Sequence, residues 1–99
     1  MPAIHRFPLR IAEVQRVEMP EGARVLTAQQ RDFTHPDGRS IDLWALVDTS
    51  APTTERVFRI IGTGQPADDA EDLSYISTVQ LQHGALVFHV FEKIYLLRP

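Results

Sequence analysis

The chain has 99 residues, of which 43% are hydrophobic and 23% charged, and its formal net charge is −3. This balance predicts one globular domain over residues 1–99 and excludes a disordered chain or one that spans a membrane. The absence of cysteine excludes disulfides, thiolate metal ligands and cysteine nucleophiles. The basic residues form no continuous block, so nucleic acid is not an expected partner.

The first part of the chain predicts two strands, each of which is stopped by a proline. They are Ala3 to Phe7, before Pro8, and Val14 to Met19, before Pro20. We expect these strands to pair as a hairpin around Leu9 to Glu13. The apolar spacing from Ile11 to Glu18 would also suit two helical turns, which we keep as the alternative.

The middle of the chain predicts three further strands separated by turn residues. They are Arg24 to Arg31, Ile41 to Val47 and Arg56 to Ile61. Between the first two, Pro36-Asp37-Gly38 is a turn signal, because Pro fixes φ and Gly accepts a left-handed backbone. In the last of these strands we expect Phe58 and Ile60 to face the core, with Arg59 on the opposite side.

An acidic segment from Gln65 to Ser74 follows the fifth strand and is the longest stretch without a strand pattern. It has room for one helical turn that Asp68 or Asp69 would cap. The spacing and the central glycine of a calcium loop are absent, so we expect a solvated loop and no metal site.

The segment from Tyr75 to Glu92 predicts a hairpin about a two-residue turn, His83-Gly84. With Gln82 opposite Ala85, one face carries Val79, Leu81, Leu86, Phe88 and Val90, and the other carries Ile76, Thr78, Val87, His89 and Phe91. Because both faces are largely apolar, the hairpin should lie at the centre of the structure. The fold class is therefore all-β, with about six antiparallel strands in a small curled sheet, a barrel or a sandwich.

Candidate binding residues lie on three of these strands and on the turn that follows the fifth strand. Trp44, Arg59 and His89 would line a concave pocket if the sheet curls, and Gly62-Thr63-Gly64 would let a backbone approach an anion. All of these residues except Arg59 have a simpler alternative. The glycines also suit a plain turn, His89 also suits a satisfied core residue, and Trp44 also suits a core or interface residue.

No catalytic constellation is recognisable in the sequence. No two histidines have metal-ligand spacing, and local spacing places no carboxylate or serine beside His89. We therefore expect no cofactor, no metal and no enzymatic activity. The apolar end Ile94-Tyr95-Leu96-Leu97 would either dock on its own sheet or complete a homodimer.

Five phrases carry a resemblance to a known family: RFPL at 6–9, MPEGA at 19–23, LWALVD at 43–48, FRIIGTG at 58–64 and GALVFHVFE at 84–92. In this order they resemble a family of short proteins of unknown function encoded by bacteriophages and by bacteria with phage-derived genes. The resemblance implies a phage or prophage setting and no established activity. Gln65 stands where many of those relatives have His, which weakens a metal or base role for the preceding turn.

These observations lead to two expected functions. The first is a small non-enzymatic β-module that binds a protein partner in the cytoplasm of a bacterial host. The alternative is a protein that sequesters a nucleotide-type ligand through Trp44, Arg59, Gly62-Thr63-Gly64 and His89. No membrane association is expected, because no apolar run has the length of a spanning helix.

Overall fold

The computed structural model describes residues 1–31 and 39–94, and these residues form seven strands in two antiparallel sheets. The strands are β1 (Pro2–Arg10), β2 (Val14–Pro20), β3 (Arg24–Gln30), β4 (Arg39–Asp48), β5 (Thr53–Gly62), β6 (Leu73–Leu81) and β7 (Leu86–Lys93). One sheet has the strand order β1-β4-β3, and the other has the order β2-β5-β7-β6. The all-β prediction is confirmed, with seven strands instead of about six, and the two sheets around one core correspond to the sandwich among the predicted alternatives.

A single apolar core is shared by the two sheets. In β4, side chains of Ile41, Leu43, Ala45 and Val47 are buried in it, and the residues between them point away. The same alternation in β5 buries Phe58 and Ile60, as predicted. Each sheet therefore has a core-facing side and an outer face, and neighbours in sequence occupy opposite sides.

The predicted hairpin of the first two strands is wrong, and so is the helical alternative. Strand β1 pairs with β4 and β2 pairs with β5, so the chain changes sheets at the corner between Arg10 and Val14. The Gln15 side chain holds this corner: its Oε1 accepts from the Arg10 amide at 3.1 Å, and its Nε2 donates to the Arg10 carbonyl at 2.8 Å. Pro8 lies inside β1 without breaking the ladder because β1 is an edge strand.

The connection from β5 to β6, residues 63–72, passes over the outer face of the four-stranded sheet, and we call it the crossing segment. Both strands are antiparallel to β7, which lies between them, so they run parallel and their connection must span the sheet. The predicted helical turn is present as a 3₁₀ turn at Ala70–Asp72. Asp69 precedes this turn but makes no side-chain capping hydrogen bond.

The β6–β7 hairpin keeps the predicted register beside its turn but differs at the turn itself. Leu81 pairs with Leu86, so four residues connect the strands instead of two. Gln82, His83 and Gly84 have φ values of 50°, 56° and 89°, and only the last is a glycine, which takes this conformation without strain. In its sheet β7 is an interior strand, whereas β6 is an edge strand and not central as expected.

A bulge in β6 changes which side chains face the core. The register shifts by one residue between Tyr75 and Ser77, and Ile76 consequently packs against the core instead of joining the outer face beside His89. Ser77 turns towards β3, where its Oγ accepts a hydrogen bond from the Ala28 amide at 2.9 Å and shares one of 3.1 Å with Thr27 Oγ1. This residue therefore links the free edges of the two sheets.

Two sequence predictions lie outside the described residues. They are the Pro36-Asp37-Gly38 turn and the tail segment from Tyr95 onward. No helix in the described ranges is long and apolar enough to cross a membrane.

Replacing Ser77 with Ala should lower the free energy of unfolding by about 1–3 kcal/mol, because the buried Ala28 amide would lose its acceptor. Urea denaturation measures this change. Ser74→Ala is the control: the residue is exposed, lies on the same strand and makes no side-chain hydrogen bond with any described residue, so its effect should stay within about 0.5 kcal/mol. Equal effects of the two variants would contradict the link between the sheets.

Candidate functional site

Five of the six predicted binding residues lie on one side of the molecule, at the outer face of the four-stranded sheet. Arg59 of β5 pairs with Phe91 of β7, and His89 of β7 pairs with the next outward residue of β5, Ile61. Gly62, Thr63 and Gly64 follow directly, where the chain leaves β5 and begins to cross this face. These five residues are therefore neighbours in the structure, and only Trp44 lies elsewhere.

His89 is held between two threonine hydroxyls. Its Nε2 lies 2.8 Å from Thr63 Oγ1, and its Nδ1 lies 3.0 Å from Thr78 Oγ1. The Tyr75 hydroxyl continues the chain of hydrogen bonds, 2.7 Å from Thr78 Oγ1. Both ring nitrogens therefore have partners, which matches the interpretation of His89 as a satisfied residue.

The two hydrogen-bond partners of the His89 ring are neutral hydroxyls, which limits the chemistry that His89 can perform. A neutral imidazole donates from one nitrogen and accepts at the other, so it can accept a proton from Thr63 only if the opposite nitrogen donates to Thr78. A base of this kind is usually oriented and stabilised by a carboxylate, but the partner here is a neutral hydroxyl. The network fixes the Gly62–Gly64 turn against the sheet.

Arg59 is engaged by groups of the chain itself. Its Nε and Nη2 donate to the two carboxylate oxygens of Asp69, both at 2.9 Å, and its Nη1 donates to the Glu13 carbonyl at 3.1 Å. These hydrogen bonds hold the pKa of Asp69 below its ordinary value of 3.8. Arg59 thus joins the crossing segment to the corner between β1 and β2, and only 14% of its side chain is exposed.

The pocket beside Arg59 is poorly suited to a phosphate. It has a volume of about 300 Å³, and its lining includes Glu13, Asp68 and Asp69 as well as Arg59. Three acidic residues against one arginine that is already paired repel an anion. No group of three or more His, Asp or Glu side chains in residues 1–31 and 39–94 is placed to hold a metal ion.

The Gly62-Thr63-Gly64 turn does not present its first two amides to a ligand. The Gly62 amide donates to Gln65 Oε1 at 2.6 Å, and the Thr63 amide donates to the Val87 carbonyl at 3.2 Å. An anion nest requires successive free N–H groups. The geometry therefore favours the plain-turn alternative, with the Gln65 side chain closing the turn.

Trp44 does not converge with Arg59 and His89, so the predicted three-residue pocket is not formed. It belongs to β4 in the other sheet, between Leu43 and Ala45, which are fully buried in the core. Its side chain therefore points to the outer face of the three-stranded sheet. The core separates Trp44 from the Arg59–His89 side of the molecule.

Sequence reasoning missed two apolar neighbours of Trp44. Ile4 and Leu46 are cross-strand partners on the same outer face, with exposed fractions of 61% and 37%. Leu46 could have been predicted from the sequence, because it follows Trp44 by two residues and must share its side of the strand. Ile4 could not have been predicted, because its position depends on β1 pairing with β4.

Replacing Asp69 with Asn should destabilise the protein most at neutral pH. The lowered pKa means that the carboxylate stabilises the fold above about pH 4 and loses this effect as the pH falls. The difference in unfolding free energy between wild type and Asp69→Asn should therefore shrink below about pH 4, as measured by urea denaturation. Asp68→Asn is the control, and a difference for Asp69→Asn that is independent of pH would contradict the pairing with Arg59.

Comparisons with known proteins place the chain in a family and assign it no activity. No curated protein and no solved structure matches it. One family model does match, over residues 1–96. The chain therefore belongs to the family described as domain of unknown function DUF7352.

Proposed function

We propose that this chain is a non-enzymatic binding module and that its partner is another protein. The partner docks on the outer face of the three-stranded sheet, at the surface formed by Ile4, Trp44 and Leu46, which we call the docking face. The observation that carries the proposal is the exposed cross-strand pair of Ile4 and Leu46 beside the single tryptophan of the chain.

The composition of the docking face resembles that of protein interfaces. Aromatic anchors surrounded by aliphatic side chains are enriched at the centres of such interfaces, where charged residues are depleted. The three side chains project from two paired strands, so little conformational freedom is lost when a partner binds. A rigid apolar surface of this kind suits a folded partner.

The edge of the docking face is positively charged. Arg24 lies opposite Leu46 in the β3–β4 ladder and is exposed. It makes no ion pair with any of the described residues. Carboxylates at the rim of the partner would complement this charge and direct its approach.

The biological setting follows the resemblance to phage-encoded proteins. It supports a location in the cytoplasm of a bacterial host, where the partner would be a host or phage protein. A second copy of the chain is the alternative occupant, which would make the protein a homodimer. The neutral surroundings of His89 support a role without catalysis.

The second expected function, sequestration of a nucleotide-type ligand, is not favoured at the residues that the sequence predicted for it. Trp44 lies on the opposite side of the molecule, and Arg59 is already paired with Asp69. The acidic lining of the adjacent pocket also opposes a phosphate.

Site-specific photocrosslinking tests the docking face directly. A photoreactive phenylalanine at position 46 should yield one discrete protein adduct in cells that contain the natural partner, and mass spectrometry identifies it. Adding Ile4→Asp should lower the adduct yield at least about fivefold, because a charge on an exposed residue disrupts the apolar contact without disturbing the core.

The same photoreactive residue at position 14 is the matched control. Val14 is 55% exposed and lies on β2, at the outer face of the other sheet. No adduct from position 46, or equal adducts from positions 46 and 14, would contradict the proposal.

A further inference from the structure

A basic cleft lies where the edge strands β1 and β2 of the two sheets come together. Its volume is about 390 Å³. It is lined by four arginines, one glutamate, three apolar residues and one glutamine: Arg6, Arg10, Arg16, Arg39, Glu18, Phe7, Pro8, Val17 and Gln15. The chain as a whole has a net charge of −3, so this concentration of positive charge is local.

Two arginines of β5 are saturated by internal partners. Arg56 donates to both carboxylate oxygens of Glu92 and to the Ala23 carbonyl, and Arg59 is bound in the same way by Asp69 and the Glu13 carbonyl. Such bidentate pairing leaves a guanidinium little capacity for a ligand.

Three of the four arginines of the cleft are held much more loosely. Arg6 lies 3.9 Å from Asp42 with 50% of its side chain exposed, and Arg16 lies 3.4 Å from Glu55 with 71% exposed. The Arg10 guanidinium makes no ion pair or hydrogen bond with any described residue. These guanidinium groups are therefore available to an incoming anion.

The pairing of the strands brings like charges together in this cleft. Arg10 lies opposite Arg39 in the β1–β4 ladder, at an irregularity in the register. Like charges directly opposite each other in a sheet repel and destabilise it. Arg39 has an interaction of its own in the fold, so Arg10 is the member of this pair that an anion would engage.

We propose that the cleft binds a small phosphorylated ligand of the nucleoside diphosphate class. Guanidinium groups match phosphate oxygens in a bidentate geometry, and several arginines in one cleft suit a ligand with more than one phosphate. The volume is within the range of small-molecule sites, and Phe7, Pro8 and Val17 offer apolar surface to a nucleoside. The cleft adjoins the docking face, because Arg6 is also the cross-strand partner of Trp44, so the ligand is tested at arginines outside that face.

A nucleic acid strand fits the charge distribution less well. Its backbone needs a continuous basic path, whereas this chain is acidic overall and its sequence has no basic block. A ligand with two phosphates needs only the few arginines that line the cleft.

Calorimetry with the full chain tests the proposal with ADP, adenosine and a short oligothymidylate as probes. ADP should bind with a Kd below about 1 mM, and adenosine at least about tenfold more weakly. Arg10→Gln and Arg16→Gln should each weaken ADP binding at least about fivefold, and added salt should weaken it further. Lys93→Gln removes the same charge from an exposed residue outside the cleft and should leave ADP affinity within about twofold.

Three results would overturn the proposal. They are no ADP binding at millimolar concentration, equal effects of Lys93→Gln and the two arginine variants, or tighter binding of the oligonucleotide than of ADP. Far-UV circular dichroism verifies that each variant is folded. If Arg10→Gln fails to fold, Arg16→Gln still decides the outcome, because its side chain is largely exposed.

Discussion

The architecture depends on the corner where the chain leaves one sheet for the other, between Arg10 and Val14. Gln15 clamps the Arg10 backbone, and the Glu13 carbonyl accepts hydrogen bonds from Arg59 Nη1 and from the Ile60 amide. Arg59 also holds the crossing segment through Asp69. One arginine therefore joins two irregular connections, the corner between β1 and β2 and the crossing segment between β5 and β6.

The separation of β1 and β2 determines where chemistry is available on the surface. It places β1 beside β4, which sets Ile4 next to Leu46 and Trp44 and creates the docking face. It also opens the seam between the two edge strands, where loosely held arginines collect. The outer face of the four-stranded sheet is different, because its polar groups are bonded to one another and to the crossing segment.

The strands and their core-facing residues were predictable because they depend on local pattern. Alternation predicted that Phe58 and Ile60 would be buried, and turn residues placed most strand boundaries within a few positions. The hairpin of β1 and β2 was mispredicted because the Gln15 clamp leaves no turn signature in the sequence. The bulge at Ile76 could not be predicted either, because no glycine marks the position where the register shifts. The candidate site was predictable only where neighbours share a sheet, and Trp44 belongs to the other one.

Cross-strand nuclear Overhauser effects between backbone protons show directly whether β1 and β2 belong to different sheets. We expect contacts from β1 to β4, with Phe7 opposite Leu43, and from β2 to β5, with Val17 opposite Arg56. Between β1 and β2, contacts should be confined to the corner held by Gln15. A continuous ladder of contacts from β1 to β2 would instead place both strands in one sheet and would remove both the docking face and the basic cleft.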